Sequence, residues 1–405
     1  MTPGKTYYFH IASRTPLREV HSNTELELQD EFKVRELIRT PIQEFTLPAN
    51  PKRTQELFVA PTGSDDAPGT RAKPFKTISC ALDKAVAGDT VTILPGTYRE
   101  PLRFRSGGDK NAPLTLRALK PGSVIIDGFR KINTAICLEN VTDVIIDGLT
   151  FKDVNDTTGS CIKINSGSNI TIKRCFQDGR CHGYTPSLIS AHGTRKLTVE
   201  NCVIIRGFHG ASFYRCPDLT VRNCVWYVNQ INHFYAHCHS DEKTLVENNI
   251  FVDNVPAKHS EALFSVLSLE ALTMRNNAFY LRMPQSHRAI VGFTRKYGNY
   301  YRQKNNLEML RKAGADEKGT IFANPGFKIM PKGLVMFKNE PALTQASITR
   351  SMNYNKEALE LGKTFAAVEL GLVKGKYTPW HITDFISTNP ELLKKKIGLD
   401  PEAFK

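Results

Sequence analysis

One short phrase returns repeatedly between residues 127 and 279, and no other feature limits the fold of this chain as tightly. It consists of a β-rich triplet, a turn residue, a small or polar residue and an apolar pair. It reads Val144-Ile145-Ile146-Asp147-Gly148-Leu149, Ile170-Thr171-Ile172-Lys173-Arg174-Cys175-Phe176, Leu197-Thr198-Val199-Glu200-Asn201-Cys202-Val203 and Leu219-Thr220-Val221-Arg222-Asn223-Cys224-Val225. It continues as Leu245-Val246-Glu247-Asn248-Asn249-Ile250 and Leu272-Thr273-Met274-Arg275-Asn276-Asn277-Ala278. Asp127-Gly128 reads as the first member, and the intervals through Gly148, Cys175, Cys202, Cys224, Asn249 and Asn277 lie in the twenties. That period signals a solenoid, in which a repeat buries its apolar side only by stacking on its neighbours.

Within one repeat, residues 162–176 give a strand at Ile162-Lys163-Ile164, a corner, a strand at Ile170-Thr171-Ile172, a polar corner at Lys173-Arg174 and a strand at Cys175-Phe176. A longer irregular loop then leads to the next coil. Three short strands per coil, each pairing with its equivalent about 4.8 Å away, predict an all-β, right-handed parallel β-helix. Leucine-rich repeats share the period but need a leucine and asparagine consensus that this chain lacks. The series Asn201, Asn223, Asn248 and Asn276 is expected at one corner, as an amide ladder satisfying neighbouring backbone groups.

The solenoid is expected over residues 57–345, with an N-terminal extension over 1–56 and a helical, basic tail over 346–405 packing on it. Lys356 to Leu372 reads as an amphipathic helix, and Lys394-Lys395-Lys396 as a solvated face. No window approaches eighteen apolar residues, so no helical membrane span is expected. The start Met1-Thr2-Pro3-Gly4-Lys5 has no apolar stretch behind it and does not read as a signal peptide. Of the nine Cys, Cys175, Cys202 and Cys224 share one repeat position. They read as small core fillers, with one disulfide left open because stacked positions are close enough to bridge. The absence of a CxxC pair argues against zinc. A formal net charge of +14 favours polyanionic partners, either nucleic acid or acidic polysaccharide, and no recognised nucleic-acid-binding module is present.

The most specific run is Leu57-Phe58-Val59-Ala60-Pro61-Thr62-Gly63-Ser64-Asp65-Asp66, continuing through Gly69-Thr70, Lys73-Pro74-Phe75-Lys76-Thr77-Ile78, Gly88-Asp89-Thr90-Val91 and Pro95-Gly96-Thr97-Tyr98. It resembles the opening coil of secreted carbohydrate-active β-helix proteins, the pectate-lyase-like superfamily, which includes lyases of the pectate, alginate and chondroitin types. Ile78, Leu82, Ala85 and Val86 make the apolar stripe of a short helix that would cap the open end of the solenoid. Asn306 to Lys312 and then Phe322 to Phe327 resemble the family's closing helix and last coil, so the resemblance covers roughly residues 57–330. It implies a secreted or periplasmic protein whose partner is an acidic polysaccharide.

In such a fold the long loops lie on one side, here 152–160, 177–187, 205–211, 227–234, 252–261 and 280–288. Of the 11 His, His182, His192, His209, His233, His237, His239, His259 and His287 concentrate there. His233, Tyr235, His237 and His239 alternate and would share a face of an extended segment. Tyr184, Arg206, His209, Tyr214 and Tyr227 would extend that face backwards. A basic, aromatic groove suits an anionic sugar chain, because cations hold its carboxylates and rings stack on its pyranose faces. β-Elimination of a uronate needs a cation on the carboxylate, a base for the C5 proton and an acid for the leaving oxygen. The expected base is Lys258, its pKa depressed by neighbouring cations such as His259 and Arg288. His237 is the rival base, Tyr235 the acid, and Arg282 or Arg288 the neutraliser. His182, Tyr184, Arg206, His209, His233, His259, Arg282 and His287 are the expected substrate contacts.

Two family patterns are missing. The acidic cluster that holds calcium in metal-dependent lyases is absent, so no metal is expected. The polygalacturonase pattern of a paired aspartate, a Gly-His-Gly and an Arg-x-Lys is also missing, with only Phe208-His209-Gly210 as a partial echo. A hydrolase would need two facing carboxylates. The expected activity is therefore metal-independent elimination on an acidic polysaccharide, with hydrolase, C5-epimerase and non-catalytic sugar-binding protein as alternatives.

Overall fold

The computed structural model describes residues 6–9, 12–14, 37–39, 41, 43–46, 53–129, 131–154, 159–179, 187–205, 207, 209–229, 232–239, 241–254, 262–266, 270–280, 289–293, 316–328, 372–373, 376–377 and 380–405. Met1–Pro51 and Lys52–Lys405 are two compact units. In the smaller, Thr6–Phe9 pairs antiparallel with Gln43–Thr46, and Ala12–Arg14 with Leu37–Arg39.

In the larger unit the described strands fall into three long sheets of ten, nine and eight strands. A representative coil runs through Ser168–Lys173 in the ten-stranded sheet, Phe176–Asp178 in the nine-stranded sheet and Ile189–His192 in the eight-stranded sheet, and then returns to the first sheet with Arg195–Glu200. Each strand pairs in parallel with its equivalent one coil on. The register holds like against like: Ile146, Ile172, Val199, Val221, Val246 and Met274 are successive partners and all are fully buried. Each such side chain contributes about 1.5–3 kcal/mol of burial free energy, and the repeated apolar triplets exist to supply this ladder. The chain is the all-β parallel solenoid that the repeat predicts.

The corner leaving the ten-stranded sheet requires a left-handed residue. Gly148, Arg174, Asn201, Asn223, Asn248, Asn276 and Gly319 occupy it, with φ between 49° and 76°. Asn and Gly tolerate that conformation best. The expected amide ladder is real but sits one residue later. Asn249 Oδ1 accepts the Cys224 N–H at 3.0 Å, Asn277 Oδ1 accepts the Asn249 N–H at 3.0 Å, and the two Nδ2 groups donate to Val221 O and Val246 O at 2.9 Å. Asn201 and Asn223 instead turn outward onto the C-terminal segment, where Asn223 Nδ2 donates to Lys396 O and Gly398 O at 2.9 Å and Asn201 Oδ1 accepts the Asp400 N–H at 2.8 Å. Asp127-Gly128 is not the first member of the series. Asp127 ends Val124–Asp127 in the nine-stranded sheet, whereas Asp147 ends Thr142–Asp147 in the ten-stranded one.

Cys175, Cys202 and Cys224 precede Asn249 and Asn277 in the same inward column. They are buried free thiols, each donating weakly to the carbonyl two residues back at 3.2–3.3 Å. All eight described cysteines are free.

Ile78–Lys84 forms the predicted helix, with Thr77 as N-cap and Ile78, Ala81 and Leu82 buried. It stops before Ala85 and Val86, because the Asp89 carboxylate takes the Val86 N–H at 3.0 Å and pairs with Arg53 at 2.6 Å, pulling the chain into the next strand. The helix packs on Glu56–Val59, Thr90–Ile93 and Leu102–Phe104, the first strands of the solenoid.

The outer face of the nine-stranded sheet is covered as well. Phe176, Val203, Val225, Tyr227, Ile250 and Val252 pack against Phe327, Ile382, Phe385, Leu392, Ile397 and Leu399. This explains unbroken apolar runs such as Val203-Ile204-Ile205, since a strand buried on both faces does not alternate. The closing helix expected at 306–312 and the helical stretch before Leu372 lie outside the described residues. Leu372–Val373 pairs antiparallel with Lys376–Tyr377, and Lys394, Lys395 and Lys396 are exposed.

Candidate active site

The connection from the nine-stranded to the eight-stranded sheet is long in several coils, but it shrinks to residues 206–208 and 230–231 before His209–Tyr214 and Asn232–His237, so the long loops expected at 205–211 and 227–234 are mostly strand. The long form joins, for example, Leu149–Lys152 to Ser160–Asn165, Phe176–Asp178 to Ile189–His192 and Ile250–Asn254 to Ala262–Val266. These long loops open beside the outer face of the eight-stranded sheet. Parallel pairing stacks that face into columns. Asn165, His192, Tyr214 and His237 are successive partners, and beside them run Lys163, Ser190, Ser212 and Tyr235.

The rings of these two columns form one wall. His192 stacks on Tyr214 with centroids 4.6 Å apart and planes 19° from parallel. Tyr214 meets His237 edge-on at 5.0 Å and Tyr235 at 5.7 Å, and Tyr235 lies 3.8 Å from His237. Burial, and then the nearby His239, hold the His237 imidazolium below the ordinary histidine pKa, while burial pushes the Tyr214 phenol up. Both shifts favour the uncharged forms, a neutral His237 imidazole beside a protonated Tyr214 phenol. His237 Nε2 has no hydrogen-bond partner among the described residues. That Nε2 is buried, and a neutral imidazole is the form in which histidine acts as a base.

The sequence-predicted residues divide sharply. Tyr235 and His237 share the wall as expected, and Tyr214 joins them. His209 opens the strand His209–Tyr214, half-buried, with Nδ1 2.7 Å from Asn232 Oδ1, and desolvation lowers its pKa. His233 does not belong to the groove. It is fully buried, its Nδ1 3.0 Å from Asn229 Nδ2 and its ring between Trp226 and Phe251. Alternation fails there because Asn232–His237 has only just left the corner, so residue 233 still faces the interior. Tyr227 is likewise removed from this face, being buried at 0% exposure beneath Phe327, Trp380 and Phe385. Lys258, Arg288, His182, Tyr184, Arg206, His259, Arg282 and His287 lie outside the described residues.

The sequence reading passed over His192 as a ring of the wall and missed the cations at its rim. His192 and Tyr214 run directly into Gly193 and Arg215, both left-handed. Arg195, Lys196 and Arg215 are exposed at this second corner. The available signal was the register: once Ile162, Ile189 and Ala211 are aligned as inward residues, the intervening positions must face out. Among the described residues no group of His, Cys, Asp or Glu is arranged to hold a metal ion.

Residues 57–204 match the family of the Pel9A-like right-handed β-helix region. The uncharacterised protein YwoF of Bacillus subtilis is 36% identical over 127 residues, covering 29% of this chain and 27% of that protein. Pectate lyase PEL9 of Emericella nidulans is 43% identical over 75 residues, covering 18% of each. The chain thus spans about a quarter or less of the length of these curated relatives. A crystal structure of pectate lyase Pel9A aligns over 76% of this chain and 91% of that one, with 14% identity and a TM-score of 0.45. The opening coils are thus similar to the Pel9A-like β-helix family, and with the three stacked parallel sheets that continue them the chain is a right-handed parallel β-helix.

Proposed function

We propose that the protein binds an acidic, uronate-containing polysaccharide along the outer face of the eight-stranded sheet and cleaves it by β-elimination. The observation that carries this reading is the wall of His192, Tyr214, Tyr235 and His237, in which an imidazole of lowered pKa, its buried Nε2 without a partner among the described residues, lies against two phenol rings. In this scheme His237 removes the C5 proton, Tyr235 protonates the leaving oxygen, and the C4–O bond breaks as the C4–C5 double bond forms. Cations hold the carboxylate so that negative charge developing at C5 is stabilised. Arg215 at the rim is available for that task, and Arg282 and Arg288 are the neutralisers expected from the sequence. Lys258, the base expected from the sequence with His237 as its rival, lies outside the described residues and is kept here as the alternative base.

The test is incubation with pectate, alginate, chondroitin and heparin while monitoring the ultraviolet absorbance of the unsaturated product. His237→Ala is expected to lower turnover about 10²- to 10⁴-fold with binding retained, and Lys258→Ala to lower it far less. New reducing ends without that absorbance would replace elimination by hydrolysis. Inversion at C5 without chain cleavage would make the same proton abstraction that of an epimerase.

A further inference from the structure

The coil that precedes this wall carries an exposed aromatic ring in an unusual setting. Phe129 is 56% exposed and left-handed, with φ of 49°, a conformation that bulky residues adopt rarely and only where the surroundings enforce it. The surroundings here do enforce it. The Asp127 carboxylate accepts the Phe129 N–H at 3.0 Å, and it is held in turn by Arg99 at 3.4 Å and Lys152 at 3.5 Å. Gly128 packs so tightly on the next coil that an added Cβ would lie 2.5 Å from Asp153 O and Val154 Cα. The turn is closed by the Lys131 N–H donating to Gly128 O at 2.9 Å. The outcome is a ring held out of the fold and flanked by cations, with the Arg99 guanidinium 5.1 Å and the Lys131 ammonium 5.6 Å from its centroid.

Neither packing nor the proposed chemistry uses this ring. Its position relates it to the wall. Phe129 lies on the same corner as the long loops, immediately before Thr134–Glu139, which is four strands from Asn232–His237 in the eight-stranded sheet. At about 4.8 Å per strand that is roughly 19 Å along the axis. The column of His192, Tyr214 and His237 continues along the axis to Glu139 at the exit end of that strand, so a polymer reaches Phe129, at the entry end, by crossing the sheet face obliquely, with units several residues away from the cleaved bond.

We infer that Phe129, Arg99 and Lys131 form a distal subsite for one anionic sugar unit of a long chain. The ring supplies an apolar platform for a pyranose face, and the two cations supply charge-assisted contacts to its carboxylate or sulfate. This inference rests on the proposed use of the same sheet face by an acidic polysaccharide. It assigns to the subsite the job of favouring long chains over short ones.

The experiment compares the full chain with Phe129→Gly and Lys131→Gln by calorimetric titration with polygalacturonate, alginate and heparin, each as polymer and as trisaccharide. Gly removes the ring while relaxing a left-handed residue, so this variant is expected to melt no lower than wild type. Polymer affinity is expected to fall about 5- to 10-fold in Phe129→Gly and 2- to 5-fold in Lys131→Gln, with trisaccharide affinity unchanged in both. Unchanged polymer affinity in Phe129→Gly overturns the subsite, as does a wild-type protein that binds single-stranded nucleic acid but none of the glycans. Elimination and the subsite fail separately. A wild type without lyase activity whose polymer binding still depends on Phe129 keeps the subsite, whereas an active lyase indifferent to Phe129 loses it.

Discussion

His237 meets the ring of Tyr214 edge-on, centroids 5.0 Å apart and planes at 74°, across one step of the eight-stranded sheet. The contact buries much of the imidazole, and the positive charge His239 can acquire opposes protonation further, so the His237 pKa lies below its ordinary value. A base that must be neutral to act works once the pH exceeds its pKa. We therefore expect kcat/KM for elimination to rise with pH and to reach half its plateau below about 6.5, the usual histidine value. His239→Gln removes the repulsion and should move that midpoint upward. A pH–rate profile of both proteins checks this, and a midpoint unmoved or shifted down in the variant contradicts it.

The same shifts make stability depend on pH. His209 and His237 both have folded-state pKa values lowered by burial, so between the folded and ordinary values the unfolded chain binds more protons. Their contribution is fully present above about 6.5 and is lost as pH falls through the folded values. Thermal melting should therefore be flat just above neutrality and decline in the acid range. His209→Gln, which stays neutral, should decline less steeply than wild type. An identical slope in the variant would remove His209 from this account.

Asn249 links three coils, and its replacement separates the thiol column from the amide column. Asn249→Leu leaves the buried Cys224 N–H and Val221 C=O without the partners that Asn249 supplies at 3.0 and 2.9 Å. Each orphaned buried group costs about 1–3 kcal/mol, so a loss of about 2–6 kcal/mol in denaturant unfolding is expected. Asn249→Cys installs the group that works at the same corner in the coils of Cys202 and Cys224, where the thiols also reach a carbonyl one coil back, at 3.6 Å. It should cost less than half as much. Equal destabilisation by both variants would show that volume, not hydrogen bonding, sets the requirement.

Much of this architecture could be read before any coordinates, for a physical reason. A parallel stack forces like residues into register, so the inward ladder from Ile146 to Met274 and the left-handed Asn corner had to surface as a sequence period. The corner at Arg174 was less visible, because an arginine at φ of 52° gives no compositional hint. Its pairing with Asp147 and its Nη1 bond to Ala403 O at 2.9 Å are what hold it. His233 was misplaced because alternation counts residues but does not see where a corner ends. Tyr227 was misplaced because the segment that covers it lies far away in the chain, at Phe327, Trp380 and Phe385.

That covering segment gives the last prediction. The outer face of the nine-stranded sheet would expose Phe176, Val203, Val225 and Ile250 if nothing lay over it, and a run of apolar side chains on a parallel sheet invites association. Phe385 anchors the cover. It is fully buried, with Tyr227, Phe327, Trp380 and Phe176 rings between 5.5 and 5.9 Å away. Phe385→Ala should cost about 3–5 kcal/mol. Because the rest of the solenoid keeps its own ladders, the loss is expected first as local opening of residues 380–405 rather than as global unfolding. Hydrogen exchange should show it as faster exchange at Gly398 and Asp400, whose N–H groups are bonded to Asn248 O and Asn201 Oδ1. Amides within Ser168–Lys173 and Arg195–Glu200 should keep wild-type protection. Uniform loss of protection across both regions would mean that the cover and the coil fold as one unit.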